Sequence, residues 1–280
     1  MPELPEVETV RRGLEARVLG RRITTVEVSH PDVIVGSPAA FRKKARGVIR
    51  HLHRKGKALA LELGAHHAQG DARAAHYLLL RLGMTGQVTV VPRQHPLEPH
   101  THVRFALENG EEIRYRDVRR FGRLRCCTPR ELRAIFAELG PDAPTMTAGE
   151  FLQALEGRRA PIKSWLLDQS RLAGVGNIYA DESLFAARIH PLTPAGRLTR
   201  PQALALHRAV ERVLRSAVAL QGTSFRDYID IEGQPGRFSM KLKVYQRTGE
   251  PCPRCATPIE RVAISGRSTH FCPRCQPPPP

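Results

Sequence analysis

Two short stretches concentrate residues able to do chemistry. Near the end of the chain, Cys252 and Cys255 are separated by sixteen residues from Cys272 and Cys275, giving two Cys-x2-Cys pairs. Thiolates at this spacing supply two ligands per tight turn, and four of them close a tetrahedral zinc shell with no open position. The zinc implied is one structural ion, not a catalytic one; a redox pair is the other use of such a motif. The intervening ATPIERVAISGRSTHF is long enough for a β-hairpin, with Arg267 near its tip. At the other end the chain opens MPELPEVETV. Either Pro2 lies in a short lead before a helix that Pro5 begins, or Pro2 is itself a reagent with Glu3 and Glu6 beside it.

The elements that must hold these residues follow from pattern. PEVETVRRGLEARVL, residues 5–19, reads as a helix that buries Val7, Val10, Leu14 and Val18 and stops at Gly20. RITTVEV, KALALEL, HYLLLRL, GQVTVV, HVRFALE and EEIRYRD alternate apolar and polar residues as half-buried antiparallel strands do, and Asn109-Gly110 marks a turn between the last two. The adjacent Cys126 and Cys127 close this strand-rich part as structural residues. Helical periodicity takes over in TPRELRAIFAELG, TAGEFLQALEG, PIKSWLLDQS, NIYADESLFAARI and RPQALALHRAVERVLRSAVAL. The expected class is α+β: an N-terminal β-sandwich with flanking helices over 1–137, a linker at 138–147, a helical domain over 148–240, a zinc hairpin over 241–276 and a proline tail at 277–280.

Composition narrows the partner. Lys plus Arg is 44 against 27 Asp plus Glu among 280 residues, a formal charge of +17, which calls for a polyanion. Neither an 18-residue apolar run nor a signal-type apolar start is present, so the expectation is a cytoplasmic protein that acts on nucleic acid and not at a membrane.

The start PELPEVET, the segment DVRRFG, the stretch GVGNIYADESLF and the ending GRSTHFCPRCQ, in this order, resemble the formamidopyrimidine-DNA glycosylase family over the whole chain apart from the proline tail. The resemblance implies a helix–two-turn–helix domain before the zinc finger. It also implies a bifunctional repair enzyme that excises oxidised purines, such as 8-oxoguanine and formamidopyrimidines, from double-stranded DNA and then cuts the strand at the abasic site. The bacterial cytoplasm is the implied location, with the nucleoid as place of action, and a monomer is sufficient for chemistry on one lesion. On this reading Pro2, freed of Met1, is the nucleophile. A terminal α-amine titrates at roughly 7.7–8.0, whereas lysine at about 10.4 needs desolvation to match it. Glu3 becomes the main proton donor and acceptor, Glu6 its support, and Lys57 a second donor that also meets phosphate. Arg267 is the family's donor for the last elimination, although gripping phosphate bidentately suits a guanidinium better.

The family also opens the duplex. Met84 and Phe121 are the implied wedges, Arg119 the reader of the widowed cytosine, and His100, Arg158, Lys163 and Asn177 the implied backbone contacts. Each has a blander reading: the wedges as core residues, the cations as solvated surface. GVGN at 174–177 forms a phosphate nest at a helix start, and the 222–240 loop, with Thr223, Ser224 and Tyr228, is expected to close over the flipped base. Val118 stands where the family usually has proline. Two rivals remain. One is the endonuclease VIII-type enzyme for oxidised pyrimidines, whose start usually reads Pro-Glu-Gly-Pro-Glu where this chain has Leu4. The other is a non-catalytic zinc-ribbon DNA-binding protein, against which Pro2, Glu3 and Lys57 speak.

Overall fold

The computed structural model describes residues 2–64 and 76–279. They form two compact units, 2–138 with 220–237, and 139–219 with 238–279. The second unit thus gives up residues 220–237, which the sequence groups with the helical domain.

The first unit begins with α1 (Leu4–Val18), whose Val7, Val10, Leu14 and Val18 are all buried. Eight strands follow: β1 (Arg22–Val28), β2 (Gly47–Lys55), β3 (Ala58–Gly64), β4 (His76–Arg81), β5 (Gly86–Pro92), β6 (Thr101–Leu107), β7 (Glu111–Asp117) and β8 (Arg123–Cys127). The short helices α2 (Pro38–Lys44) and α3 (Pro129–Ala137) complete it. The strands pair antiparallel in one sheet of order β5-β7-β6-β1-β2-β3-β4-β8. Irregularities at Ile23/Thr25, Ile49/His51 and Thr101/Val103 let it curl. Val88 and Val90 from one edge strand and Leu124 from the other then share a core with α1, so one sheet makes both layers of a sandwich.

Strand alternation divides β3 and β4 between two faces. Leu59, Leu61, Leu63, Leu78 and Leu80 enter the core beneath α1. Ala58, Ala60, Tyr77 and Leu79 face the other way, where Leu132, Ile135 and Phe136 of α3 cover them. The helix α3 starts at a Thr128–Glu131 capping box, which satisfies backbone donors that would otherwise be orphaned.

The second unit comprises α4 (Ala148–Leu155), α5 (Ile162–Leu167), α6 (Asn177–Ala187), α7 (Arg200–Ala219) and the hairpin β9 (Glu260–Ile264) and β10 (Arg267–Phe271). Eight of the eleven residues of α6 are buried, which makes it the central post of this unit. No helix is long and apolar enough to cross a membrane among the described residues.

Candidate active site and DNA interface

The head of α1 is enclosed. Pro2 is buried, and Glu3 and Glu6 are 2% and 1% exposed. Glu6 reaches back one turn, its Oε2 accepting the Glu3 N–H at 2.7 Å, while its Oε1 accepts the Thr223 N–H at 2.7 Å. One carboxylate therefore ties the start of the chain to the loop that returns from residue 220. Hydrogen bonds to a buried charge are the strong kind. Gly222 allows the approach: its φ is +84°, and a Cβ there would lie 2.8 Å from Glu6 Oε1. The Tyr228 hydroxyl donates to Glu6 O, and burial pushes its pKa far up, keeping it a neutral donor. Leu4 is buried at the first helical position.

Lys57, half-buried, lies in the turn between β2 and β3 after Gly56, whose φ is +55°. Arg54 ties this turn to α1: its Nε donates to Glu8 Oε2 at 2.9 Å and its Nη1 to Gly56 O at 3.1 Å. Burial opposes ionisation of Glu8, but hydrogen bonds from Arg11, Arg12 and Arg54 outweigh it and hold the carboxyl down to about 2. The folded value lies below the ordinary 4.5, so this contribution to stability is complete above pH 4.5 and drains as pH falls towards 2. Replacing Glu8 by Gln is expected to cost at most about 3 kcal/mol at pH 7, and the gap between variant and parent should close near pH 2. Urea unfolding of both proteins across this range checks it. Acid also discharges the zinc thiolates, so the readout is the difference between the two proteins.

The Met84 and Arg119–Phe121 loops are held as a pair by Asp117, which is fully buried. One of its oxygens accepts from Thr85 Oγ1 and the Arg119 N–H, and the other from Tyr115 Oη at 3.0 Å and the Gly122 N–H at 2.8 Å. The loops touch through glycine: a Cβ on Gly83 would meet Gly122 N at 2.6 Å, and one on Gly122 would meet Tyr115 Oη at 1.9 Å. Arg120 turns the chain with φ +53°, and the Arg119 guanidinium stacks 4.6 Å from the Phe121 ring centroid. Phe121 is 53% exposed, so it is no core residue, and Met84 is half-buried. Val118 is exposed; with Asp117 fixing the loop, the stiffness of a proline is not required. His100 has φ +68° and ends a loop whose carbonyls at His95 and Pro96 each accept from Arg114 at 2.7 Å.

In the second unit Asn177 is the first residue of α6 and donates through Nδ2 to Ser268 O at 2.9 Å. The Gln169 side chain shapes the preceding glycine turn, accepting from Gly174 N at 2.9 Å and donating to Val175 O at 2.8 Å. Arg158 is exposed, and so is Arg267, which directly follows the Ser265-Gly266 hairpin turn. Both turn residues have positive φ, +49° and +71°, as a two-residue hairpin turn needs.

Lys163 departs from the expectation of a groove-lining backbone contact. Its side chain is 0% exposed, and its Nζ lies 2.6 Å from Asp181 Oδ1 while donating to Thr269 Oγ1 at 2.8 Å and Ser268 O at 3.0 Å. Asp181 Oδ2 accepts the His270 N–H at 2.9 Å. An ammonium enclosed this way cannot meet a phosphate; it pins the hairpin to α5 and α6. Adjacent Glu182 accepts the N–H groups of Lys243, Val244 and Tyr245, each at 3.0 Å. Lys163→Met is expected to cost about 3–5 kcal/mol by stranding a buried carboxylate, and Asp181→Leu in the same chain to recover part of that. A phosphate contact would instead lower the salt slope of DNA binding by about one in both proteins. Chemical denaturation and salt titrations of binding separate the two.

The four cysteine sulfurs lie within 4.8 Å of one another. The Cys255 Sγ is 3.5 Å from those of Cys272 and Cys275, and Cys252 Sγ is 3.9 Å from Cys275 Sγ. Zinc–sulfur bonds of about 2.3 Å at tetrahedral angles put sulfurs roughly 3.8 Å apart, so the cluster fits one ion. Backbone N–H groups of Arg254 and Cys275 point to Cys252 and Cys272 sulfurs at 3.4 Å, as expected around thiolates. These residues hold one structural zinc. Its removal by a strong chelator should unfold the hairpin and abolish DNA binding, with zinc restoring both; a colorimetric zinc assay beside a mobility shift follows this.

A curled sheet opening on a proline–carboxylate terminus, and a helical unit closed by a four-thiolate hairpin, define a zinc-bearing DNA glycosylase. The chain matches the family models of the formamidopyrimidine-DNA glycosylase N-terminal domain over residues 1–124, of that enzyme's H2TH domain over 139–228, and of the zinc finger found in FPG and IleRS over 249–278. It is 45% identical to a formamidopyrimidine-DNA glycosylase of Symbiobacterium thermophilum, covering 100% of this chain and 90% of that one. Among solved structures it is similar to the Lactococcus lactis Fpg bound to abasic-site DNA, with a TM-score of 0.90 and 34% identity, covering 99% of this chain and 100% of that one. A point mutant of the same Lactococcus lactis protein, in complex with Fapy-dG DNA, gives a TM-score of 0.90 at 33% identity and the same coverage. This chain belongs to the formamidopyrimidine-DNA glycosylase family.

Proposed function

We propose that the protein excises oxidised purines from duplex DNA and cleaves the strand at the resulting site, with Pro2 as covalent catalyst once Met1 is removed. The observation that carries this is the enclosed head of α1, where Glu6 fixes both the Glu3 backbone and the Thr223 loop. The Pro2 nitrogen forms a bond to C1′ and the C1′–base bond breaks, its electron pair leaving with the base, which takes up a proton. Glu3 protonates the ring oxygen as C1′–O4′ opens, leaving an iminium ion. That cation accepts electrons, so the C2′ proton is lost and the 3′-phosphate departs by β-elimination. Loss of the C4′ proton expels the 5′-phosphate by δ-elimination, and water releases the sugar fragment from Pro2. Lys57 supplies a proton in the β-elimination, and Arg267 grips phosphate beside the lesion.

Met84 and Phe121 fill the space the flipped base leaves, Arg119 faces the widowed cytosine, and His100, Arg158 and Asn177 hold the backbone. The 220–237 return closes over the extruded base. Action on the nucleoid in a bacterial cytoplasm accords with bacterial relatives and with thiolates committed to zinc.

Borohydride reduction during turnover tests the reading. An 8-oxoguanine duplex should give a covalent adduct that peptide mapping places on Pro2. An oxidised-pyrimidine duplex should give less. Tight binding to the 8-oxoguanine duplex with no adduct would sink the proposal in favour of a DNA-binding protein without chemistry.

A further inference from the structure

On the face of the sheet turned away from α1, the first unit carries a cleft that the repair chemistry does not use. It measures about 470 Å³ and runs between α3 and residues of the strands β2 and β4. Leu132, Phe136 and the Tyr77 ring make an apolar floor, and Lys55, His53 and Arg133 stand on the rim.

Of these rim residues, the Lys55 and Arg133 side chains make no hydrogen bond or ion pair among the described residues. Glu62 is the nearby acid, and it is already engaged by His53 Nε2 at 3.1 Å and the Tyr77 hydroxyl at 3.2 Å. Arg133 and Ala137 are exposed along the outer side, so the cleft is open lengthwise and suits an extended chain better than an enclosed small molecule. Duplex DNA would satisfy the two cations but leave the half-buried Phe136 and Tyr77 rings uncovered. A segment with carboxylates and one bulky apolar side chain does both.

We propose that this cleft docks an acidic partner peptide, its aromatic or aliphatic side chain seated against the Phe136 and Tyr77 rings and its carboxylates paired with Lys55 and Arg133. Such a contact is small and therefore transient. It lies on the opposite face of the sheet from α1, so a partner could hold the enzyme while the α1 side is occupied. The inference stands independently of the catalytic roles assigned above.

The probe is a fluorescein-labelled peptide, Asp-Asp-Asp-Leu-Phe with a free carboxyl end, followed by anisotropy with the full chain. Saturable binding is expected, with Kd on the order of 10–100 µM. Arg133→Glu and Lys55→Glu should each weaken it at least tenfold; Arg133 is exposed and Lys55 half-buried at the end of β2, so Arg133→Glu is the variant that leaves folding untouched. Replacing Leu-Phe of the probe by Ser-Ser should abolish binding. A saturating abasic-site duplex should leave the peptide bound, and Arg133→Glu should cleave that duplex at the parent rate. Absence of saturable binding, equal affinity for the Ser-Ser peptide, indifference to both substitutions, or displacement by the duplex would each overturn the proposal, the last by placing the peptide in the DNA site.

Discussion

Adding one residue ahead of Pro2 is expected to abolish both base excision and strand cleavage, lowering single-turnover rates by at least ~10³-fold. The reason is chemical. An amide nitrogen has no free lone pair to attack C1′, and a new terminal amine would stand one residue away from Glu3. The terminus is not free to adapt, because Glu6 holds the Glu3 N–H and Thr223 N–H at 2.7 Å each. Pro2→Gly is the milder counterpart: it keeps a terminal amine but loses the ring that fixes its direction, so borohydride adducts should fall sharply without vanishing. The decisive comparison is the extended protein on a duplex that already contains an abasic site. Binding should persist there while cleavage is lost. Cleavage at the parent rate by the extended protein would remove Pro2 from the mechanism and point to a lysine, with Lys57 first in line.

Much of the fold is legible in the sequence because most elements obey one rule at a time. RITTVEV and EEIRYRD coincide with β1 and β7, and the helix placed over 5–19 appears as Leu4–Val18. β2 is the strand that pattern alone passes over. Its outer face carries His51, His53 and Lys55, and its inner face spends Arg54 on Glu8, so GVIRHLHRK shows little alternation. The zinc cluster is legible because ligand spacing is a local property. Lys163 is not. Among so many cations, nothing local marks the one whose partner Asp181 lies a helix away and whose ammonium is fully enclosed. The return of 220–237 to the first unit is equally hidden, because the N–H groups that secure it are backbone and have no sequence signature.

Asp117 shows what such hidden residues do, and its replacement by Ala is expected to rank among the most damaging changes outside the α1 terminus. Its carboxylate is the shared anchor of the turn bearing Met84 and the loop bearing Arg119 and Phe121. Truncation strands the Gly122 N–H, the Tyr115 hydroxyl and the Thr85 hydroxyl in a buried site, at about 1–3 kcal/mol for each group that finds no new partner. A total of about 3 kcal/mol would lower Tm by roughly 6–12 °C. The functional loss should exceed the loss of stability. Arg119 and Phe121 reach their geometry only because Arg120 holds a left-handed turn, and Asp117 accepts hydrogen bonds on both sides of that turn. Unfastened, the loop pays the ordering entropy at the moment it enters the duplex. Excision of a paired oxidised purine should therefore suffer far more than cleavage of an abasic site, where no base has to be extruded. Asp117→Asn keeps the shape and one acceptor, and should lie between. Equal losses on the two substrates would mean that Asp117 supports the unit as a whole and not the opening of DNA.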